Sequence, residues 1–167
     1  MRSLIEASQI DFSTGWLDTD IYSTAWVAMV PDKADKTCPA WPCTLEYLRA
    51  SQLPDGGWGE PIMYYALTRI ISTMAALIAL RQWEQPEDES RIRLGLQALA
   101  RYAIDITKEI HEPIGFELLF PSLLGHLPEA AAQFPENALK RIDVTLQEKM
   151  RLISSLVPFI SVPLALC

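Results

Sequence analysis

An all-α fold is predicted, on three observations. Apolar residues recur at helical spacing in two long stretches, a third stretch from Ile62 to Trp83 is apolar on nearly every side, and no run alternates apolar with polar residues as a half-buried strand would. The one Asp-Gly step, Asp55-Gly56, lies between helical patterns and not between alternating runs, so it does not mark a hairpin.

Taken along the chain, the segment from Pro31 to Pro42 is polar, Pro-rich and aperiodic. It is the best candidate for an internal boundary, with the residues before it expected to form a different packing unit. Ile62 to Trp83 carries Arg69 as its only charge before Arg81, which predicts a helix enclosed by its neighbours at the centre of a layered helical fold. Glu84-Gln85-Pro86-Glu87-Asp88-Glu89 breaks that pattern with proline and acids and predicts a loop followed by a helix start, where acids favour the helix dipole. Ile92, Leu96, Leu99, Ala103 and Ile106 then keep a 3.6-residue spacing opposite Arg93, Gln97, Arg101 and Asp105, an amphipathic helix. Leu139, Ile142, Leu146, Met150, Ile153 and Val157 repeat the pattern behind the starter-like Pro135-Glu136-Asn137. The stretch from Leu152 to Cys167 is uncharged but shorter than the roughly 20 residues of a spanning helix and contains Pro158 and Pro163, so it predicts packing and not a membrane span.

Composition narrows the function. The 167 residues suffice for one domain with a hydrophobic core, and half of them are hydrophobic. A formal net charge of −7 without a basic patch argues against nucleic acid, whose phosphates need clustered lysine and arginine. Three cysteines, Cys38, Cys43 and Cys167, form no disulfide framework and point to a reducing compartment, with a cytoplasmic location expected. Cys38 and Cys43 make no zinc site either, because His111 and His126 lack ligand spacing to them. Met1 to Glu6 resembles neither a secretory signal nor a transit peptide.

Three blocks then become recognisable. In Tyr47-Leu48-Arg49-Ala50-Ser51-Gln52-Leu53-Pro54-Asp55-Gly56-Gly57-Trp58-Gly59, an aromatic-aliphatic pair is followed by Gln and by Gly-x-Trp across a turn, and the segment resembles the QW motif of terpene cyclases. Its physics is a clasp: Gln52 can hydrogen-bond backbone groups at helix ends, Trp58 can stack over that amide, and Gly56 and Gly57 permit the turn. Tyr22-Ser23-Thr24-Ala25-Trp26-Val27-Ala28-Met29-Val30-Pro31 resembles the Tyr-Asp-Thr-Ala-Trp-Val-Ala signature of class II diterpene cyclases. Pro113-Ile114-Gly115-Phe116-Glu117-Leu118-Leu119-Phe120-Pro121-Ser122-Leu123-Leu124 is similar to their Pro-Ile-Gly-Phe-Glu block. The blocks stand in the family's order, and their joint occurrence is far more specific than any one of them. Triterpene cyclases and protein prenyltransferase subunits share the helical barrel, but the Pro-Ile-Gly-Phe-Glu block argues against both.

The resemblance is to cyclases of the copalyl diphosphate synthase kind, of fungal bifunctional type. It implies an α-barrel, an incomplete α-α toroid, in which a γ domain is inserted after the first helix of a β domain with the active cavity between them. Residues 1–40 would then hold that first β-domain helix, Asp20 to Val30, and residues 41–167 the γ domain. In the family an Asp-x-Asp-Asp motif protonates the terminal alkene of geranylgeranyl diphosphate. This chain has no such string and no two adjacent aspartates, so it lacks the class I Asp-Asp-x-x-Asp site as well. Asp18-Thr19-Asp20-Ile21 is the nearest approach and reads as a helix-capping loop. Ser23 stands where the family signature has Asp.

Family members often carry acids before Pro-Ile-Gly-Phe-Glu that help hold a magnesium-diphosphate. Here Asp105, Glu109 and Glu112 occupy that stretch, with Lys108 among them, and the plainer reading is solvated surface charge. Trp16, Trp26, Trp41 and Trp83 are expected as core or interface aromatics, and His111 and His126 lack a catalytic constellation. Glu117 could cap a helix or pair across the barrel. The resulting expectation is the scaffold portion of a cyclase, inactive alone, whose partners are a prenyl diphosphate in the full-length family and either the missing β domain or a second copy. A helical binding module that keeps the γ scaffold is the alternative.

Overall fold

The computed structural model describes residues 20–106 and 115–160. Among the described residues six helices follow one another: α1 (Ile21–Ala28), α2 (Pro42–Ala50), α3 (Ala66–Gln82), α4 (Glu89–Asp105), α5 (Phe116–His126) and α6 (Glu136–Ile160). Short 3-10 turns occupy Pro86–Asp88 and Pro128–Gln133. Among the described residues the only β-type pairing is a single bridge between Pro31 and Pro39.

α3 is the axis of the fold. Fourteen of its seventeen residues are buried, because α1, α2, α4 and α5 all pack around it. Each buried Leu, Ile or Met on it contributes about 1.5–3 kcal/mol of transfer free energy, and Leu67, Ile70, Met74, Leu77 and Leu80 all lie in the core. The apolar run predicts this enclosure, although the helix begins at Ala66 and not at Ile62. Gly59 at φ 137° and Pro61 hold the chain out of helical geometry before it. The Glu60 carboxylate also turns back to accept from the Ile62 N–H at 3.1 Å. Ile62 and Met63 consequently stand in solvent, 93% and 71% exposed.

α1 starts as its sequence suggests: the Asp20 carboxylate accepts from the Ser23 N–H at 2.8 Å and from the Ser23 hydroxyl at 2.9 Å, a side-chain N-cap. Ser23, in place of the family's Asp, therefore supports the cap. Ile21, Ala25 and Ala28 enter the same hydrophobic cluster as α3. The end of α1 is tied to the end of α3 as well, since the Trp83 indole donates to Ala28 O at 2.9 Å and the Gln82 amide to Met29 O at 2.6 Å.

Between α1 and α2 the proline-rich segment is a built loop. Asp32 N–H donates to Cys38 O, Ala40 N–H donates to Val30 O, and the Asp32 and Asp35 carboxylates accept from nearby N–H groups further along the loop. Cys38 and Cys43 are both free thiols. Trp41 sits at the start of α2 and is 51% exposed, so it is not a core aromatic; Pro42 at the first helical position turns the chain there. Trp16 lies outside the described residues.

Candidate functional site

The turn from Leu53 to Gly57 is closed by Gly56 N–H to Leu53 O at 2.8 Å and Leu53 N–H to Gly57 O at 2.9 Å. Two glycines make it possible. Gly56 has φ 87°, and a Cβ there would meet Leu94 O at 2.8 Å; a Cβ on Gly57 would fall 2.2 Å from the Tyr102 hydroxyl. The Gln52 amide donates to Gly56 O at 2.8 Å and to Arg91 O at 3.0 Å, so it serves both the turn and the first turn of α4. Trp58 is fully buried. Its indole donates to Leu48 O on α2 at 2.7 Å and its backbone N–H to the Thr73 hydroxyl on α3 at 2.9 Å. Gly95 of α4 lies against its ring, where an added Cβ would come within 2.9 Å. Three helices thus meet at one indole.

A polar network runs from this turn to Asp105. The Asp55 carboxylate accepts from the Tyr102 hydroxyl at 2.6 Å and lies 3.6 Å from the guanidinium of buried Arg69. Burial, and then the neighbouring Asp55 carboxylate, push the Tyr102 phenol well above its ordinary range, so it remains a proton-bearing donor. Arg69 also donates to Glu60 O at 2.6 Å and lies over the Tyr64 ring at 5.8 Å. Tyr64, its ring 5.9 Å from that of Tyr102, donates to Asp105 at 2.9 Å. Charge, phenol and carboxylate hold one another here. On the other side of Gln52 a cleft of about 730 Å³ opens among Asp20, Tyr47, Glu60 and Ser72, a size typical of small-molecule sites.

The residues singled out by sequence do not form one site. Gln52, Gly56 and Trp58 form the clasp, and Asp105 ends the polar network. Glu109, Glu112 and His111 lie outside the described residues. Among the described residues no three of His, Cys, Asp and Glu group as metal ligands. Asp105 alone falls short of the several oxygens a hard cation needs.

Tyr22 and Trp26 lie on α1, their rings edge-to-face at 6.0 Å, and Trp26 meets His126 at the end of α5 in the same manner at 6.1 Å. Gly115 caps α5 in a left-handed conformation, and Phe116 stacks on Phe120, which in turn meets Phe134 edge-on. Glu117 is buried and accepts from Lys149 of α6, so it pairs across helices.

Burial pushes the Glu117 carboxyl up, but the hydrogen bond and charge of Lys149 outweigh this and hold it below the usual carboxylate range. A depressed carboxylate stabilises the fold above its unfolded pKa, and that contribution is lost as pH falls through the folded pKa. Glu117→Gln is therefore expected to lower stability at pH 7 and to flatten the acid limb of the stability curve below about pH 4. Urea unfolding from pH 3 to 7 checks this; an unchanged acid limb would contradict it.

Sequence patterns do not mark Arg69, Asp55, Tyr102 or the Arg49–Asp88 pair as site residues. For Arg69 a signal exists, since a lone cation in an otherwise apolar, enclosed helix must find a partner.

No protein-family model matches the chain. Individual relatives do. It is 36% identical over 124 residues to ent-copalyl diphosphate synthase 2, chloroplastic, of Marrubium vulgare, which covers 74% of this chain and 16% of that protein. The fold is similar to abietadiene synthase from Abies grandis, with TM-score 0.74 and 31% identity over 86% of this chain and 19% of that one. It is also similar to ent-copalyl diphosphate synthase from Arabidopsis thaliana, solved with an aza-dihydrogeranylgeranyl thiolodiphosphate, with TM-score 0.67 and 30% identity over 79% of this chain and 19% of that one. The chain spans about a fifth of the length of these relatives. With the three blocks in family order and the helical fold matching, the chain belongs to the diterpene cyclase family that includes the copalyl diphosphate synthases.

Proposed function

We propose that this stretch is the scaffold portion of a class II cyclase: it shapes one wall of the cavity in which geranylgeranyl diphosphate becomes a copalyl-type diphosphate, and it is inactive by itself. One observation carries the reading. Identity with ent-copalyl diphosphate synthase extends over 124 residues, while no Asp-x-Asp-Asp string occurs anywhere in the sequence. A tertiary carbocation needs a strong, positioned acid, and the polar network around Asp55 and Asp105 holds its groups in mutual hydrogen bonds.

In this reading α1 is the first helix of a β-type unit within residues 1–40, and residues 41–167 are a γ-type unit. The cleft beside Gln52 supports it, because α1 and the clasp both contribute to its wall. The prenyl diphosphate is the partner the bound analogue in the Arabidopsis enzyme suggests. Magnesium is part of the family resemblance, yet the described residues supply Asp105 alone towards it, so no step is assigned to a metal. Among the described residues no helix is long and apolar enough to cross a membrane. A cytoplasmic setting belongs to the proposal and is supported by the free thiols of Cys38 and Cys43.

Incubating the purified chain with geranylgeranyl diphosphate and magnesium is expected to return the substrate unchanged. A bicyclic diphosphate seen by mass spectrometry would overturn the proposal. The alternative of a helical interaction module makes the same prediction for activity and differs in what its exposed faces bind.

A further inference from the structure

The cleft beside Gln52 has a chemistry that cyclisation does not use. Its floor is built from Ile21 of α1 and Ser72 of α3, both buried, its walls include Tyr47, Gln52 and Gly59, and exposed Asp20 and Glu60 stand at its mouth. Ser72 is only 8% exposed, and its hydroxyl makes no hydrogen bond among the described residues. A buried hydroxyl without a partner is costly, and one that lines a cleft can be satisfied from within it. The neighbouring polar groups offer acceptors. Gln52 spends its amide N–H groups on Gly56 O and Arg91 O, which leaves its carbonyl oxygen for the cleft. Asp20 Oδ2 accepts from Ser23 and Glu60 Oε1 from the Ile62 N–H, so each carboxylate keeps a second oxygen. No lysine or arginine lines the cleft. Arg69 meets Glu60 only at its backbone carbonyl and turns to Asp55 and Tyr64.

We infer that this cleft binds a small organic cation that also carries a hydroxyl, an amino alcohol. Asp20 and Glu60 hold the ammonium at the mouth beside the Tyr47 ring, and the hydroxyl reaches Ser72 and the Gln52 carbonyl below. The donor set excludes the rival occupants. Two carboxylates fall short of the several oxygens of a hard metal ion, and among the described residues no three of His, Cys, Asp and Glu group as ligands. A diphosphate would meet two carboxylates and no cation. A diamine would place a second charge on the floor, where no carboxylate answers it. Such a site is independent of whether the whole protein cyclises a prenyl diphosphate.

Aminohexanol is the probe, titrated into the chain and followed by amide NMR shifts, with hexanediol, hexylamine and hydroxyhexanoate as matched controls. It is expected to bind saturably, about fivefold or more tighter than the diol and the hydroxy acid, and about threefold to tenfold tighter than hexylamine. Ser72→Ala removes a hydroxyl with no partner among the described residues, so the variant folds. It should abolish the preference over hexylamine and leave the affinity for hexylamine itself unchanged. Asp20→Asn/Glu60→Gln keeps the cap of α1 and the acceptor for Ile62, and should abolish the preference over the diol. Binding of aminohexanol that neither variant alters is general attraction to an acidic chain and overturns the proposal. Equal affinity for the diol, preference for the hydroxy acid, or no saturable binding overturns it as well.

Discussion

Trp58→Ala is expected to destabilise the protein by about 3–5 kcal/mol, as measured by urea unfolding. A domain of this kind holds only about 5–15 kcal/mol in total, so the midpoint should move far. The magnitude reflects three losses at one position. The indole fills space between α2, α3 and α4, its N–H satisfies Leu48 O, and its ring packs on Gly95, where it and Leu77 leave no room for a Cβ. Trp58→Phe isolates the hydrogen bond: most of the volume remains, Leu48 O is left without that donor, and the cost falls to about 1–3 kcal/mol. Gln52→Ala frees two backbone carbonyls, Gly56 O and Arg91 O, and is expected to cost about 1 kcal/mol or more. Midpoints for Trp58→Ala and Gln52→Ala within error of the parent would show that the clasp is a resemblance of letters only.

The second large effect is expected at Asp88. Its side chain is fully buried at the start of α4, and Arg49, from the last turn of α2, grips it with two parallel donors, Nε to Oδ1 at 2.9 Å and Nη2 to Oδ2 at 2.8 Å. Arg49→Met keeps the aliphatic stem and removes the fork, stranding a carboxylate in the interior. Breaking such a pair from one side costs about 3–5 kcal/mol. Arg91, 3.6 Å from Oδ1, remains nearby and should hold the result near the lower figure. The double variant Arg49→Met/Asp88→Leu is expected to recover much of the loss, since the desolvation penalty disappears with the charge. Equal stability of Arg49→Met and the parent would show that the pair contributes no net stability.

These two sites differ in how far the sequence announces them. The clasp is legible because a turn needs glycine, an end-of-helix carbonyl needs a donor, and Gln52, Gly56 and Trp58 stand at fixed short spacing. Periodicity likewise locates α4 and α6, whose apolar faces are one-sided. It misjudges the start of α3, because Ile62, Met63 and Tyr64 are as apolar as the helix after them, and hydropathy does not register that Gly59 and Pro61 keep them out of the helix. Asp88 is invisible for another reason. It sits among Glu84, Glu87 and Glu89, all acids of similar propensity, and only the approach of α2 from 39 residues away decides which one is buried. The network joining Asp55, Tyr102, Arg69, Tyr64 and Asp105 is likewise a product of tertiary packing, and its members are scattered over three elements of the sequence.

Arg49 to Asp88 and Gln52 to Arg91 are each 39 residues apart, and both join the end of α2 to the start of α4. Between these two fastenings the chain runs out through the whole of α3 and back. The buried helix therefore lies within a loop of chain that is closed at its base by polar bonds, with Trp58 packed inside it. Such a loop releases its contents only when both fastenings open, so amides along α3 should share one exchange free energy with the α2 and α4 ends and show no local fraying of their own.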